Sequence, residues 1–150
     1  MVSSLQLKRD TSRLEDYLEA IHQLQQEKGY VSTIELASRL GVKPPTVSSM
    51  VARLAKDGYV DYEPYRGMRL TDVGTKVARS VIRRHETIEE FLSMLGVDKA
   101  VASADAEGIE HHLQPSTVLI LERLVRFLKR NPKYLEALRD DLENEEPLET

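Results

Sequence analysis

The stretch that decides the fold is residues 32–58, STIELASRLGVKPPTVSSMVARLAKDG, which has the pattern of two helices joined by a tight turn. Ser32 and Glu35 form a capping-box pattern that begins the first helix, and Gly41 is a suitable residue to end it. Lys43 precedes two prolines, which are favoured in the first turn of a helix. Apolar residues at helical spacing give each helix one buried face. The stretch therefore predicts a helix-turn-helix.

The flanking segments extend this pair into a winged helix-turn-helix. Upstream, apolar residues recur at helical spacing over residues 11–28. Downstream, strand-like runs at 59–62 and 68–71 flank the turn signal of residues 64–67, a pattern that predicts a β-hairpin. Three helices followed by a hairpin match the winged arrangement of DNA-binding modules. We therefore expect residues 1–71 to form a DNA-binding domain.

The second half of the chain is predicted to be helical, so the fold class is mainly α. Its four expected helices cover residues 72–95, a segment capped by Asp98 that contains residues 107–112 and ends before Pro115, then 116–129 and 132–143. Asn131 is expected to cap the last of these helices, with Pro132 in its first turn. We expect residues 72–143 to form one helical domain. The acidic residues 144–150 are expected to be a disordered tail.

The net charge of −4 is unevenly distributed along the chain. Residues 1–71 hold 10 Lys and Arg against 9 Asp and Glu, whereas residues 72–150 hold 11 against 16. The acidic excess therefore belongs to the second half and does not exclude DNA binding by the first. The chain has no cysteine, which excludes disulfide frameworks, thiolate zinc sites and iron–sulfur clusters. No signal-like segment and no apolar run of roughly 18 residues is present, so we expect a cytoplasmic protein without a membrane partner.

The second helix of a helix-turn-helix enters the major groove of DNA through its N-terminal residues. Hydroxyl groups can bond phosphates or base edges there, and cations can neutralise phosphates. The candidate DNA-binding residues on this helix and the hairpin are Lys43, Pro44, Thr46, Ser48, Ser49, Arg53, Lys56, Arg66 and Arg69. The alternative is that the two serines are solvated helix positions and the arginines an ordinary exposed charge pattern. No Arg or Asn in the first turn offers a bidentate base contact, so the operator sequence is not predicted.

A second candidate site lies at residues 107–112, EGIEHH. Glu107, Glu110 and His111 are three and four positions apart, so on a helix they share one face, whereas His112 points away. Two carboxylates and an imidazole on one face favour a divalent metal that accepts oxygen and nitrogen ligands. The motif therefore predicts a metal sensor.

Three residues elsewhere could join that site. His85 lies in the apolar stripe of its helix, where a histidine either packs in the core or faces a metal held by the glutamates. Asp16 and Glu19 are three positions apart on the first helix, but they lie opposite its apolar stripe, which is typical of solvated side chains.

Taken together, these motifs resemble the diphtheria-toxin-repressor family of metal-dependent repressors. The resemblance rests on residues 15–21 (EDYLEAI), the winged helix, Arg84-His85-Glu86 and residues 107–112, and it extends over nearly the whole chain. It implies a transcriptional repressor of metal-uptake genes that binds double-stranded operator DNA as a homodimer. The implied ligands of a two-metal site with bridging carboxylates are Asp16, Glu19, His85, Glu107, Glu110 and His111.

The resemblance also points to manganese. Iron-responsive members of the family carry Met where Asp16 stands and Cys where Glu107 stands, and hard carboxylates at these positions suit manganese better. We expect two Mn²⁺ per subunit and no organic cofactor, with Zn²⁺, Co²⁺, Fe²⁺ or Cd²⁺ also able to occupy the site. The sequence also ends before the SH3-like third domain of the iron-dependent branch.

A homodimer is expected on physical grounds as well. One small module makes few phosphate contacts, whereas two matched half-sites add their contacts. We expect the dimer seam to use helices of the second half, including Phe91, Leu92 and Leu95.

Two other functions are weighed against this one. A di-metal enzyme on a helical bundle would use Glu-x-x-His pairs. Here His111 follows Glu107 by four residues, and His112 follows Ile109 by three, so neither pair fits. A winged-helix regulator that answers an organic ligand would instead leave the carboxylates as a solvated face.

Overall fold

The computed structural model describes residues 4–145, with side chains from Asp10 onwards. Its helices are α1 Ser4–Lys28, α2 Thr33–Leu40, α3 Pro44–Lys56, α4 Asp72–Met94, α5 Lys99–Ile109, α6 Pro115–Arg130 and α7 Pro132–Asn144, and its strands are β1 Val60–Glu63 and β2 Gly67–Leu70. The chain forms two compact units, divided between Ile82 and Arg83 inside α4. This mainly α fold with one hairpin confirms the expected fold class, while the domain limits at 71 and 143 remain a prediction. Across residues 4–145, no helix is both long and apolar enough to cross a bilayer.

The capping box at the start of α2 forms as predicted. The backbone N–H of Glu35 donates to Ser32 Oγ at 3.2 Å, and the Glu35 carboxylate accepts from the backbone N–H of Ser32 at 2.9 Å. Lys28 adds an ion pair to the same carboxylate at 2.6 Å. The hydrogen bond from Lys28, followed by those from Ser32, lowers the pKa of Glu35 to about 2. The start of the helix-turn-helix is therefore fixed by local polar contacts.

One continuous apolar core holds the first unit together. α1 packs against α2 and β2, and α3 packs against α2 and β1. The largest fully buried apolar side chains of this core are Leu18, Ile21, Val31, Leu36, Val47, Leu54 and Met68. They come from all three helices, from the hairpin and from the residue that links α1 to α2. The winged helix is therefore packed as a single body.

The hairpin begins one residue from its expected position on each strand. β1 and β2 pair antiparallel, with Val60 opposite Leu70 and Glu63 opposite Gly67. The N–H of Tyr59 is taken by the Leu54 carbonyl at the end of α3, so strand pairing starts at Val60. Val31 extends the hairpin, because it exchanges two backbone hydrogen bonds of 2.8 Å with Met68 in an isolated bridge.

Two glycines permit close backbone approaches at the ends of this hairpin. A Cβ at Gly67 (φ +110°) would lie 2.5 Å from the carbonyl oxygen of Val31. A Cβ at Gly74, in the first turn of α4, would lie 2.1 Å from the carbonyl oxygen of Tyr59. Since no side chain fits at these distances, both positions require glycine.

The second unit joins its helices largely through polar side chains. Arg83 and Glu90 of α4 form ion pairs with Glu122 and Lys129 of α6, respectively. The Arg83 guanidinium lowers the pKa of the Glu122 carboxyl through a hydrogen bond. The buried apolar side chains of this unit are Ile88, Ala102, Ala106, Val118, Val125 and Leu128. This unit therefore has a smaller apolar core than the first.

The cap between the last two helices differs from the one expected. Asn131 was expected to cap α7, but its Nδ2 donates to the Phe127 carbonyl at 2.8 Å and so caps the end of α6 instead. α7 still begins at Pro132, since proline is suited to a first turn. α7 runs to Asn144, and residues 146–150 of the expected acidic tail lie outside the described residues.

Candidate metal centre and DNA-facing surface

His85, Glu107 and Glu110 come together in the second unit. One ligand atom from each of these residues lies within 4.8 Å of the other two. His85 Nδ1 is 2.7 Å from Glu110 Oε2 and 3.7 Å from Glu107 Oε2. The side chain of Glu110 is 0% exposed, that of His85 is 18% exposed and that of Glu107 is 63% exposed. The group is therefore anchored by a fully buried carboxylate and open to solvent at Glu107.

The motif at residues 107–112 does not lie on one α-helix. The helix expected to continue until Pro115 ends at Ile109, and Glu110–His112 form a single 3₁₀ turn. Leu113 and Gln114 are extended, because the residue before a proline is disfavoured in helical geometry. Tighter 3₁₀ geometry is common at the ends of helices.

Glu110 continues the buried face of α5. Ala102, Ala106 and Glu110 are spaced by four residues, and all three are buried. Small side chains at the first two positions allow close packing, and the carboxylate occupies the third. A buried carboxylate is costly unless a cation or metal compensates its charge. The location of Glu110 thus fits a residue that holds a cation.

His85 has a carboxylate near each of its ring nitrogens. Nδ1 faces Glu110, and Nε2 lies 3.2 Å from Oε2 of Glu89, one helical turn further along α4. The neighbouring Arg84 donates from Nη1 to the carbonyl of Glu110 at 3.2 Å. A metal on one ring nitrogen leaves the other to donate to a carboxylate, which fixes the tautomer and the orientation of the ring. His85 therefore lies in a polar cluster rather than a purely apolar core.

The other candidate ligands occupy different surroundings. His111 is nearly buried, and its Nε2 lies 3.4 Å from Glu110 Oε1, whereas His112 is exposed. Asp16 and Glu19 are half-buried on α1 of the first unit, where Gln23 Nε2 donates to Glu19 Oε1 at 3.3 Å. The described geometry thus brings together three of the six predicted ligands and places His111 beside them.

The donor set fits a divalent metal. Two carboxylates and one imidazole offer oxygen and nitrogen atoms within a radius that one ion can join, and the sequence contains no cysteine thiolate. Such a set accepts Mn²⁺ and Fe²⁺ as well as Zn²⁺, so the selection among them depends on coordination number and geometry.

The predicted DNA-binding residues all lie on the surface of the first unit. Lys43 is the residue preceding α3, and the other eight lie on α3 or on the hairpin. All nine are exposed. The hydroxyls of Ser48 and Ser49 donate to the carbonyls of Pro44 and Pro45 at 3.1 and 3.2 Å, respectively, and keep their lone pairs available as acceptors.

The β1–β2 hairpin, called the wing from here on, has a polar cluster around Tyr30. The Tyr30 hydroxyl donates to Glu63 Oε1 at 3.0 Å, and Arg66 Nη1 donates to Glu63 Oε2 at 3.3 Å. The Cζ atoms of Arg66 and Arg69 lie 5.6 and 5.7 Å from the centroid of the Tyr30 ring. The Tyr30 hydroxyl and then the charge of Glu63 raise the pKa of Arg66. Both arginines thus lie beside the Tyr30 ring.

Sequence reasoning missed Glu89 in the cluster around His85, and it missed Tyr30 and Glu63 in the cluster at the wing. Glu89 follows His85 by four residues, so the helical neighbour rule could have identified it. Tyr30 and Glu63 are 33 residues apart, and no sequence spacing links them. Their contact arises because Val31 pairs with Met68 beside the hairpin.

Two protein-family models match successive parts of the chain. The family model described as iron dependent repressor, N-terminal DNA binding domain, matches residues 11–68. A second model, iron dependent repressor, metal binding and dimerisation domain, matches residues 71–138. The three clustered candidate ligands lie in the second match, and eight of the nine predicted DNA-binding residues lie in the first, with Arg69 one residue beyond it.

Individual proteins support the same assignment. The HTH-type transcriptional regulator MntR of Geobacillus kaustophilus is 42% identical over 130 residues, which are 87% of this chain and 92% of that protein. A solved structure of a manganese-dependent transcriptional repressor in complex with manganese matches with a TM-score of 0.68 and 33% identity, over 76% of this chain and 53% of that one. ScaR with bound Zn²⁺ matches with a TM-score of 0.66 and 30% identity, over 76% and 54%. The chain thus spans about half the length of these two structures. These matches confirm the resemblance drawn from the sequence.

Proposed function

Because the chain belongs to the iron dependent repressor family of metal-dependent, non-enzymatic transcriptional regulators, we propose that manganese is the metal to which it responds. The observation that carries this proposal is the cluster of His85, Glu107 and Glu110 within the matched metal-binding domain. Glu107 offers a hard carboxylate, which suits Mn²⁺. The names of similar proteins point the same way, since one relative is MntR and one matching structure is a repressor in complex with manganese. Zn²⁺, Co²⁺, Fe²⁺ and Cd²⁺ are expected competitors.

The complete site is proposed to hold two Mn²⁺ per subunit. His85, Glu107 and Glu110 are its core, and His111, Asp16 and Glu19 complete it. Without metal, the carboxylates repel one another, and the burial of Glu110 is costly even beside His85 and His111. Metal adds positive charge to the site and would connect the first helix to the metal-binding domain. This narrows the range of orientations of the DNA-binding domain to one that fits the operator.

The partners proposed for this switch are double-stranded operator DNA and a second copy of the chain. The nine exposed residues of α3 and the wing would contact DNA, with residues 1–71 as the DNA-binding domain and 72–143 as the metal-binding and dimerisation domain. Repression of metal-uptake genes would then take place in the cytoplasm. By linkage, DNA must tighten metal binding by the same factor by which metal tightens DNA binding.

A second copy is proposed to cover apolar side chains of the second unit. Phe91, Leu92 and Leu95, expected at the seam, are half-buried, whereas Ile120 and Phe127 of α6 are 64% and 49% exposed. Sedimentation equilibrium should give twice the mass of one chain. A monomer at micromolar concentration would contradict the homodimer.

The deciding experiment measures DNA binding against metal. An operator duplex is first selected from random-sequence DNA by the wild-type protein in Mn²⁺, and its affinity is then measured by fluorescence anisotropy at fixed salt. We expect Mn²⁺ to tighten binding at least tenfold, Glu110→Ala to abolish this response, and the exposed α5 control Asp105→Ala to retain it. Parallel titrations with Fe²⁺ and Zn²⁺ rank the metals. An affinity unchanged by any metal would favour a regulator that responds to an organic ligand.

A further inference from the structure

Two wing arginines share one aromatic neighbour in the first unit. Arg66 follows the tip of the wing and Arg69 lies on β2, and the Cζ atoms of both lie within 5.7 Å of the centroid of the Tyr30 ring. This is inside the distance at which a guanidinium is attracted to an aromatic ring. The arginine side chains remain 68% and 48% exposed, so much of each guanidinium is open to solvent.

The backbone holds Tyr30 firmly against the wing. Its neighbour Val31 exchanges two backbone hydrogen bonds with Met68, and the turn closes on the Val31 carbonyl at Gly67. The Tyr30 hydroxyl is fixed by its bond to Glu63. The ring therefore has a defined position relative to both arginines before any ligand is bound.

The wing has no excess positive charge with which to attract DNA. Residues 61–69 contain two acidic residues, Asp61 and Glu63, and the two arginines, so their formal charge is zero. Glu63 pairs with Arg66 at 3.3 Å and Asp61 lies 3.9 Å from Arg69. Contact with a phosphate must therefore depend on the orientation of the two guanidinium groups rather than on the net charge of the wing.

An aromatic ring can position an arginine in a way that a carboxylate cannot. A carboxylate occupies N–H donors of the guanidinium, whereas a ring interacts with its charge and leaves the donors available. A phosphodiester group needs two such donors for bidentate binding.

We propose that Tyr30 is a positioning residue for DNA, holding Arg66 and Arg69 so that their free N–H groups meet phosphodiester groups of the backbone. The inference rests on the proposed DNA-binding function and adds a residue outside both the recognition helix and the wing. Tyr30 itself does not touch DNA in this arrangement.

The test is a double-mutant cycle on the full chain saturated with Mn²⁺. Each arginine held by the ring at an exposed site is worth about two- to fivefold in affinity. We expect Tyr30→Leu to weaken binding to a mixed-sequence duplex at least fivefold. Tyr30→Phe, which keeps the ring but loses the hydroxyl contacts with Glu63 and Arg66, should weaken binding clearly less than Tyr30→Leu does. In the Arg66→Ala/Arg69→Ala background, Tyr30→Leu should have no further effect.

The salt dependence separates positioning from a purely structural role. Removing either arginine should reduce the slope of log affinity against log salt by about one for each protomer, and Tyr30→Leu should reduce it in the same direction. An equal loss of affinity for Tyr30→Leu with and without the arginines would overturn the inference. So would an unchanged salt slope.

A third measurement covers the case in which Tyr30→Leu does not fold. In wild-type protein, the side-chain resonances of Arg66 and Arg69 should show ring-current shifts that persist in Tyr30→Phe and change when duplex is added. Resonances at random-coil positions would contradict the proposal. The double-mutant cycle compares variants at one fixed Mn²⁺ concentration, so its result does not require that manganese change the affinity. A failed metal response would therefore refute the proposed function while leaving the coupling between Tyr30 and the arginines measurable.

Discussion

The two units differ in how far their own side chains stabilise them without a ligand or a partner. Among residues 10–145, fifteen buried apolar side chains belong to the first unit and six to the second. The first unit has a satisfied capping box and a single core. The second buries a carboxylate, joins α4 to α6 by ion pairs, and exposes nine large apolar side chains among the described residues, against five in the first.

This difference assigns separate sources of stability to the two units. Burial of apolar surface stabilises the first unit without any ligand. The second has less of this stabilisation, buries the Glu110 carboxylate and leaves more large apolar side chains exposed. A metal ion and a second copy would stabilise these features, so the stability of the second unit should depend on the concentrations of metal and protein, and that of the first should not.

The largest expected effect lies in the first core. Leu54 is fully buried, and Leu54→Ala should cost about 2–5 kcal/mol because it removes apolar contacts and leaves a cavity. Urea unfolding followed by circular dichroism measures the loss, which should be the same with and without Mn²⁺. A loss below about 1 kcal/mol would show that the first core is less continuous than its packing indicates.

Metal should stabilise the second unit specifically. At a hundredfold excess over its dissociation constant, a ligand that binds only the folded state adds about 2.7 kcal/mol. Amide hydrogen exchange should slow within α5 and the following 3₁₀ turn by more than within α3. Glu110→Ala should remove the effect, and Asp105→Ala should retain it. Equal slowing in α3 would remove the distinction between the two units.

The capping box provides a smaller test within the first unit. Ser32→Ala removes the acceptor of the Glu35 N–H bond and should cost about 1 kcal/mol. Ser38→Ala, an exposed substitution on the same helix, should stay within about 0.5 kcal/mol. Thermal unfolding of both variants decides the matter, and equal melting temperatures would contradict the role of the cap.

The smallest effect concerns pH. Since the pKa of Glu35 falls from 4.5 to about 2 on folding, its stabilisation is fully present above pH 4.5 and is lost as pH falls toward 2. The stability difference between wild type and Glu35→Gln should therefore be constant near neutrality and shrink across that window. Glu136→Gln, at an exposed carboxylate of α7, serves as the control. A difference that persists at pH 2 would refute the ion-pair explanation.

The sequence predicted elements where local chemistry determines them. Ser32, Glu35 and the prolines before Val47 placed α2 and α3 correctly, because caps and prolines act within a few residues. The 3₁₀ turn at Glu110 was missed, since helical periodicity assumes that the helix continues to Pro115. Asn131 was assigned to the wrong helix because its side chain can reach carbonyls behind it as well as amides ahead.

The sequence predicted which residues could form the candidate site, but not the surroundings of those residues in the fold. The spacing of Glu107 and Glu110 identified two carboxylates, and His85, which the sequence also offered as a ligand, lies 2.7 Å from Glu110. Glu110 is buried because it continues the face of α5 that Ala102 and Ala106 form. The spacing of the candidate ligands did not indicate this buried face. The cluster at Tyr30 depends on a bridge between residues 37 positions apart, which no local pattern encodes.

The close backbone approaches at Gly67 and Gly74 have a consequence for how this chain can vary. A carbonyl oxygen blocks the place of any side chain at either position, so a saturation library screened for folding should return glycine alone at both. Gly108 lies inside the metal motif, yet a Cβ there would meet nothing within 4 Å. Alanine at this position should be tolerated and should favour the helix. The two glycines whose side-chain position a carbonyl oxygen blocks therefore mark the ends of the hairpin, whereas the glycine between the candidate metal ligands can vary.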